Sequence, residues 1–223
     1  MTIGKKLWVR MAAILILSMI VNVFGICQPQ EAQAAKKKNK ILVVYFTRQE
    51  NIRNPEKLDA TSSASINLSS GKRVGNAEYI ARQMKKETGA DIVAVKVKKK
   101  YTNSYDGLVD IAEKEQEEDA RPKIVKSSKK LKKYDKIILC YPVWWETMPM
   151  ALQTYLENNQ WKGKKVYAFA ANAGSGFSDS IADMKKLCKG AKIKRGFNVY
   201  EDSVLTKNTL KKIKKWAKKI KAA

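Results

Sequence analysis

Residues 41–46 (ILVVYF) and 137–141 (IILCY) are apolar throughout and rich in β-formers. Runs of this kind read as strands covered on both faces, as in the interior of a parallel sheet. Helical patterns separate them from further strand-like segments. Residues 91–97 predict a second strand, 165–171 a fourth and 193–200 a fifth, which alternates loosely and reads as an edge. A helix starts at Gly75-Asn76, turns Ile80 and Met84 inward and stops at Thr88-Gly89. An acidic helix over about 105–119 ends at Arg121-Pro122. A short helix covers 150–158, and another is expected from a Ser178 cap through Leu187. The last carries an apolar stripe of Leu210, Ile213, Trp216 and Ile220 on an otherwise lysine-rich helix. Five strands alternating with helices predict a doubly wound α/β sheet with helices on both faces.

Composition narrows the chemistry. The chain has 223 residues, room for one packed domain. It has no histidine, which excludes imidazole metal ligands and every Ser-His or Cys-His pair. Three cysteines cannot make a four-Cys zinc site. Chemistry here falls to other residues or to a borrowed cofactor.

The N-terminus reads as an address. Lys5, Lys6 and Arg10 precede an apolar run over 11–26, and Ala32-Gln33-Ala34 follows as a small-x-small cleavage site. Residues 1–34 are therefore expected to be a secretory signal, followed by a basic leader over 35–39. An uncleaved anchor or a lipoprotein on Cys27 are the other readings; Ile26 is bulky for the latter. Cleavage removes three basic residues and one acid, lowering the formal charge from +24 to about +22. It also leaves Cys140 and Cys188 as the only thiols, both in apolar contexts.

In doubly wound sheets, ligands bind beyond the carboxyl ends of the strands. Three loops lie there. Thr47 and Arg48 leave the first strand, and Gly75-Asn76 opens the first helix after a polar insertion over 49–74. Backbone N–H groups at such a helix start, with a hydroxyl beside them, suit a phosphate; plain turn chemistry is the alternative. The second loop, 141–149 (YPVWWETMP), has two adjacent tryptophans, which either stack on a flat ligand or belong to the core. The third, 171–178 (ANAGSGFS), has two glycines that let backbone pass close to a flat ring.

Together, residues 41–48, Gly75-Asn76, 141–149 and Ala173-Gly174-Ser175-Gly176 resemble the flavodoxins. They are most similar to a subgroup from anaerobic bacteria with a YP-x-WW-x-T-x-P segment and a G-S-G loop. The resemblance covers nearly all of 40–221. It implies a five-stranded parallel sheet of order 2-1-3-4-5 and non-covalent FMN as an electron carrier. Carried over, Thr47 and Arg48 with Gly75, Asn76 and Ala77 would hold the FMN phosphate. Pro142, Val143, Trp144 and Trp145 would flank the isoalloxazine ring, with Thr147 and Met148 along that edge. Asn172, Ala173, Gly174 and Gly176 would line its other side. The phosphate loop departs from the family pattern: residues 49–74 split it, and Ala77 stands where a threonine is usual.

The resemblance implies a redox partner protein or a small electron acceptor. Two other readings stay open: an FMN-dependent NAD(P)H:quinone or nitro-compound reductase, and a binding protein of this fold that has lost FMN. The lysine clusters are scattered, with no single stripe and no nucleic-acid module, so nucleic acid is not an expected partner. Association with an anionic cell envelope is compatible with the charge, as is a plain solvated surface. An electropositive protein is also expected to make the flavin's second reduction less negative in potential than in acidic relatives.

Overall fold

A computed structural model describes residues 40–59, 66–69 and 71–223. The expected signal over 1–34 and leader over 35–39 lie outside the described residues. The elements run β1 (Ile41–Tyr45), β2 (Ile66–Ser69), β3 (Lys72–Gly75), α1 (Asn76–Thr88), β4 (Asp91–Ala94), α2 (Tyr105–Glu117), β5 (Lys136–Pro142), α3 (Met150–Glu157), β6 (Lys165–Asn172), α4 (Ser180–Leu187), β7 (Lys192–Tyr200) and α5 (Lys207–Ala222).

Five strands form one sheet in the order β4-β1-β5-β6-β7, parallel at every junction. Counted along the chain within that sheet, this is the expected order 2-1-3-4-5. The uninterrupted apolar runs explain themselves here, because both faces of the central strands are covered. Leu42, Val44, Ile137 and Leu139 pack on one side with Leu152, Leu156 and Met184 from α3 and α4. Val43, Tyr45, Ile138 and Cys140 pack on the other with Ile80, Met84, Ile213 and Ala217 from α1 and α5. Successive strand residues alternate between the two layers, as the pleat requires. Cys140 and Cys188 are free thiols in opposite layers. Burial pushes both upward in pKa, Cys188 to about 12.

Three local expectations need correction. The second strand ends at Ala94 rather than Val97. Beyond it, Val97 pairs instead with Ile124 in an isolated bridge. The insertion is not loop throughout: its end is the antiparallel hairpin β2–β3, with Ser69 opposite Lys72 and Ile66 opposite Gly75. Ser178 is not the cap of α4. The capping position belongs to Asp179, and the Ser178 hydroxyl turns to Glu146 instead.

No helix among the described residues is long and apolar enough to cross a membrane. The C-terminus of α5 is secured unusually. The buried Lys136 ammonium, at the start of β5, donates to the carbonyls of Ile220 at 2.8 Å and Lys221 at 3.4 Å. Those carbonyls have no partner within the helix, so a cation satisfies both their hydrogen bonding and the helix dipole.

Candidate functional site

The insertion leaves β1 and comes back to it. Its hairpin delivers Gly75 against Thr47 so closely that a Cβ on residue 75 would lie 1.8 Å from the Thr47 hydroxyl oxygen. The two halves of the split loop are thus rejoined in space. Asn76 and Ala77 follow directly as the buried first turn of α1. Thr47 is itself buried, and its hydroxyl has no hydrogen-bond partner among the described residues. A buried hydroxyl left this way is costly unless something completes it. The Glu78 carboxylate in the first turn is drawn back to the Gly75 N–H and to Arg82 at 2.6 Å.

Asn51 holds this corner in place, and no sequence pattern marked it. It is fully buried; its amide donates to the carbonyls of Thr47 at 2.8 Å and Val95 at 3.1 Å, and accepts from the Val97 N–H at 2.7 Å. The Arg48 side chain, also fully buried, runs toward the β4–α2 loop. It donates to the Asn103 carbonyl at 2.8 Å, lies 3.8 Å from Asp59 and sits over the Tyr105 ring. Burial lowers its pKa while Asp59 raises it. Asn103 in turn fixes the start of the insertion through Asn54 and Lys57.

The tryptophan loop is a two-residue turn. Trp144 and Thr147 exchange backbone hydrogen bonds of 2.8 and 3.1 Å. Both residues between them are left-handed, Trp145 at φ 44° and Glu146 at φ 65°. That geometry usually calls for Asn-Gly. Non-glycine residues persist there only where the surroundings enforce it. The enforcement is visible: Glu146 bonds the Ser178 hydroxyl through its side chain and the Asp179 N–H through its carbonyl at 2.9 Å. Thr147 donates to Asp183 at 2.7 Å, and Met148 is fully buried in the core. Pro142 ends β5 beside Ala171, and the Val143 N–H donates to the Ala171 carbonyl at 2.9 Å.

The two tryptophans take different places. Trp144 is half-buried, edge-on to Phe46 at 5.3 Å and to Tyr101 at 6.0 Å between ring centroids. Trp145 is 41% exposed and donates its indole N–H to the Val109 carbonyl in α2. Behind Trp144, the Tyr101 hydroxyl donates to Glu115 at 3.0 Å. Burial raises the Glu115 carboxyl to about 6, against the lowering effect of the Tyr101 bond.

In the third loop, Asn172 at the end of β6 is the organiser. Its side-chain oxygen accepts from the N–H groups of Gly174 at 2.9 Å and Gly176 at 3.1 Å, and its amide donates to the Val199 carbonyl at 3.1 Å. Ala173 lies within that turn and is exposed. The Glu146 bonds join this loop to the tryptophan turn. The described rim therefore brings together three segments that lie far apart in the chain, each with its backbone already fixed.

A flavodoxin family model matches residues 64–220. The chain belongs to the flavodoxin family. Among solved structures, this flavodoxin is similar in fold to a candidate flavoprotein from Bacteroides eggerthii, at TM-score 0.57 and 22% identity over 81% of this chain and 97% of that one. A second, from Bacteroides uniformis, gives TM-score 0.54 at 19% identity over 81% and 98% of the two chains. A flavoprotein from Lactobacillus acidophilus, crystallised in complex with FMN, gives TM-score 0.50 at 18% identity over 74% and 95%. No curated protein sequence matches this flavodoxin.

Proposed function

We propose that this flavodoxin binds FMN non-covalently at the carboxyl rim of its sheet and carries electrons for a redox protein or a small acceptor outside the cytoplasm. The observation that carries the reading is the unpartnered Thr47 hydroxyl against Gly75 at the start of α1. A hydroxyl donor beside the positive end of a thirteen-residue helix suits a phosphate group. The FMN complex of the Lactobacillus acidophilus structure supports the choice of ligand.

In this reading Thr47, Gly75, Asn76 and Ala77 hold the phosphate. Arg48 adds positive charge beside them while bracing Asn103. Pro142, Val143, Trp144 and Trp145 flank the ring, and Thr147 and Met148 keep that turn in shape. Asn172, Ala173, Gly174 and Gly176 form the opposite wall, whose backbone is held by the Asn172 side chain. FMN supplies the electron chemistry; the protein's residues bind it, orient it and set its potential. Export rests on the signal pattern in residues 1–34.

Fluorescence titration tests the reading. The expected result is saturable quenching of added FMN by the purified protein. Thr47→Val, which keeps the shape and deletes the hydroxyl, weakens binding about tenfold while leaving unfolding stability unchanged or slightly raised. A colourless protein that leaves FMN fluorescence untouched refutes it. NADPH-dependent bleaching of the bound flavin would replace the carrier with a reductase.

A further inference from the structure

We infer a second ligand site, for a small molecule bearing a chain of phosphate groups, beside the segments that enter β5 and β6. A cavity of about 770 Å³ lies there, walled by the C-terminal end of α3, by the segments that enter β5 and β6, and by Lys98 beyond the end of β4. Its size falls in the range of small-molecule sites, about 300–1,000 Å³.

Five lysines on its wall, Lys98, Lys126, Lys130, Lys132 and Lys162, have no side-chain hydrogen bond and no ion pair among the described residues. Two more are already fixed. Lys129 pairs with Asp91 at 2.9 Å, and Lys164 donates to the carbonyls of Leu131 at 3.2 Å and Tyr134 at 2.7 Å. Among the described residues, no aspartate, glutamate or arginine lines the cavity. Tyr155 also lines it; the residue is 2% exposed, and its buried hydroxyl has no hydrogen-bond partner among the described residues.

Unneutralised ammonium groups around one hollow repel each other, and an anion that enters relieves all of them together. The donor type selects the anion. Planar carboxylates are favoured by the two-pronged arginine guanidinium, whereas lysine acts as a point charge and serves phosphate well. Several lysines spread around a cavity of this size suit several linked phosphates better than one.

Calorimetric titration of the full-length protein with sodium tripolyphosphate, at about 0.05 M salt where the screening length is long, tests the inference. The expected result is saturable binding of one tripolyphosphate per chain, unaffected by FMN. K130E/K162E, two exposed positions, weakens it at least tenfold. K214E/K218E on α5 changes net charge by the same amount and leaves it within twofold. K98S/K126S, which removes two wall charges without adding acids, weakens it as well, and an affinity unchanged by both cavity pairs would overturn the site. Equal weakening by the cavity pair and the α5 pair would mean general attraction to a basic surface and would overturn the site. Unsaturable heats would do the same. Displacement of tripolyphosphate by FMN would place the probe at Thr47, which also overturns the inference while upholding the rim reading.

Discussion

Thr47 and Gly75 touch, although the insertion over 49–74 separates them in the chain: the space a Cβ on residue 75 would need is taken by the Thr47 side chain. The contact turns two loop fragments into one corner. It also makes residue 75 glycine for lack of room, since its backbone, at φ −66° and ψ 133°, is open to any residue.

Gly75→Ala should therefore cost about 1–3 kcal/mol of stability through overpacking. Because the collision displaces Thr47 from the α1 terminus, FMN affinity should fall too. Urea unfolding and FMN quenching on the same preparation check both. Wild-type values for each would mean that the corner is looser than the contact implies.

The adjacent tryptophans should respond unequally. Trp144→Ala removes edge contacts to Phe46 and Tyr101 from a half-buried ring and should cost about 2–3 kcal/mol. Trp145→Ala removes an exposed ring with one indole hydrogen bond and should stay within about 1 kcal/mol. Denaturation midpoints give the comparison. Equal losses would contradict the packing described.

Glu115 should give the fold a pH dependence of definite sign. Its carboxyl is raised by burial from 4.5 to about 6, so the folded state binds its proton more tightly than the unfolded chain does. The contribution is fully present below about pH 4.5 and is lost as pH rises through about 6. Glu115→Gln should flatten this window in stability measured by urea unfolding across pH. An unchanged slope would assign the dependence to other groups.

Lys136→Met keeps most of the buried stem and deletes the ammonium that reaches the end of α5. The Ile220 carbonyl then lacks its partner, at a cost of about 1–3 kcal/mol. Amide hydrogen exchange in the last turn of α5 should accelerate first, because that turn loses its tether. Uniform acceleration across the molecule would instead indicate a general core effect.

Much of the fold was legible because buried parallel strands need apolar residues on both faces. Residues 41–46 and 137–141 have no other simple reading, and Gly75-Asn76 was correctly placed at a helix start. The hairpin β2–β3 was not legible: each strand has four residues, and the pair lies within a polar stretch. Asn51 was hidden for a different reason. Its role depends on partners at Thr47, Val95 and Val97 that only the folded chain assembles, and an asparagine in a polar loop carries no periodic signal. Ser178 misled because serine before a helix normally caps it, whereas a tertiary partner, Glu146, claims its hydroxyl here.

The placement of Cys140 and Cys188 on opposite faces of the sheet has a consequence for where this protein can work. With a full layer of backbone between them and both sulfurs buried, Cys140 and Cys188 cannot be joined to each other while the fold is intact. Once folded, this pair of thiols therefore keeps the same oxidation state in reducing and in aerated surroundings.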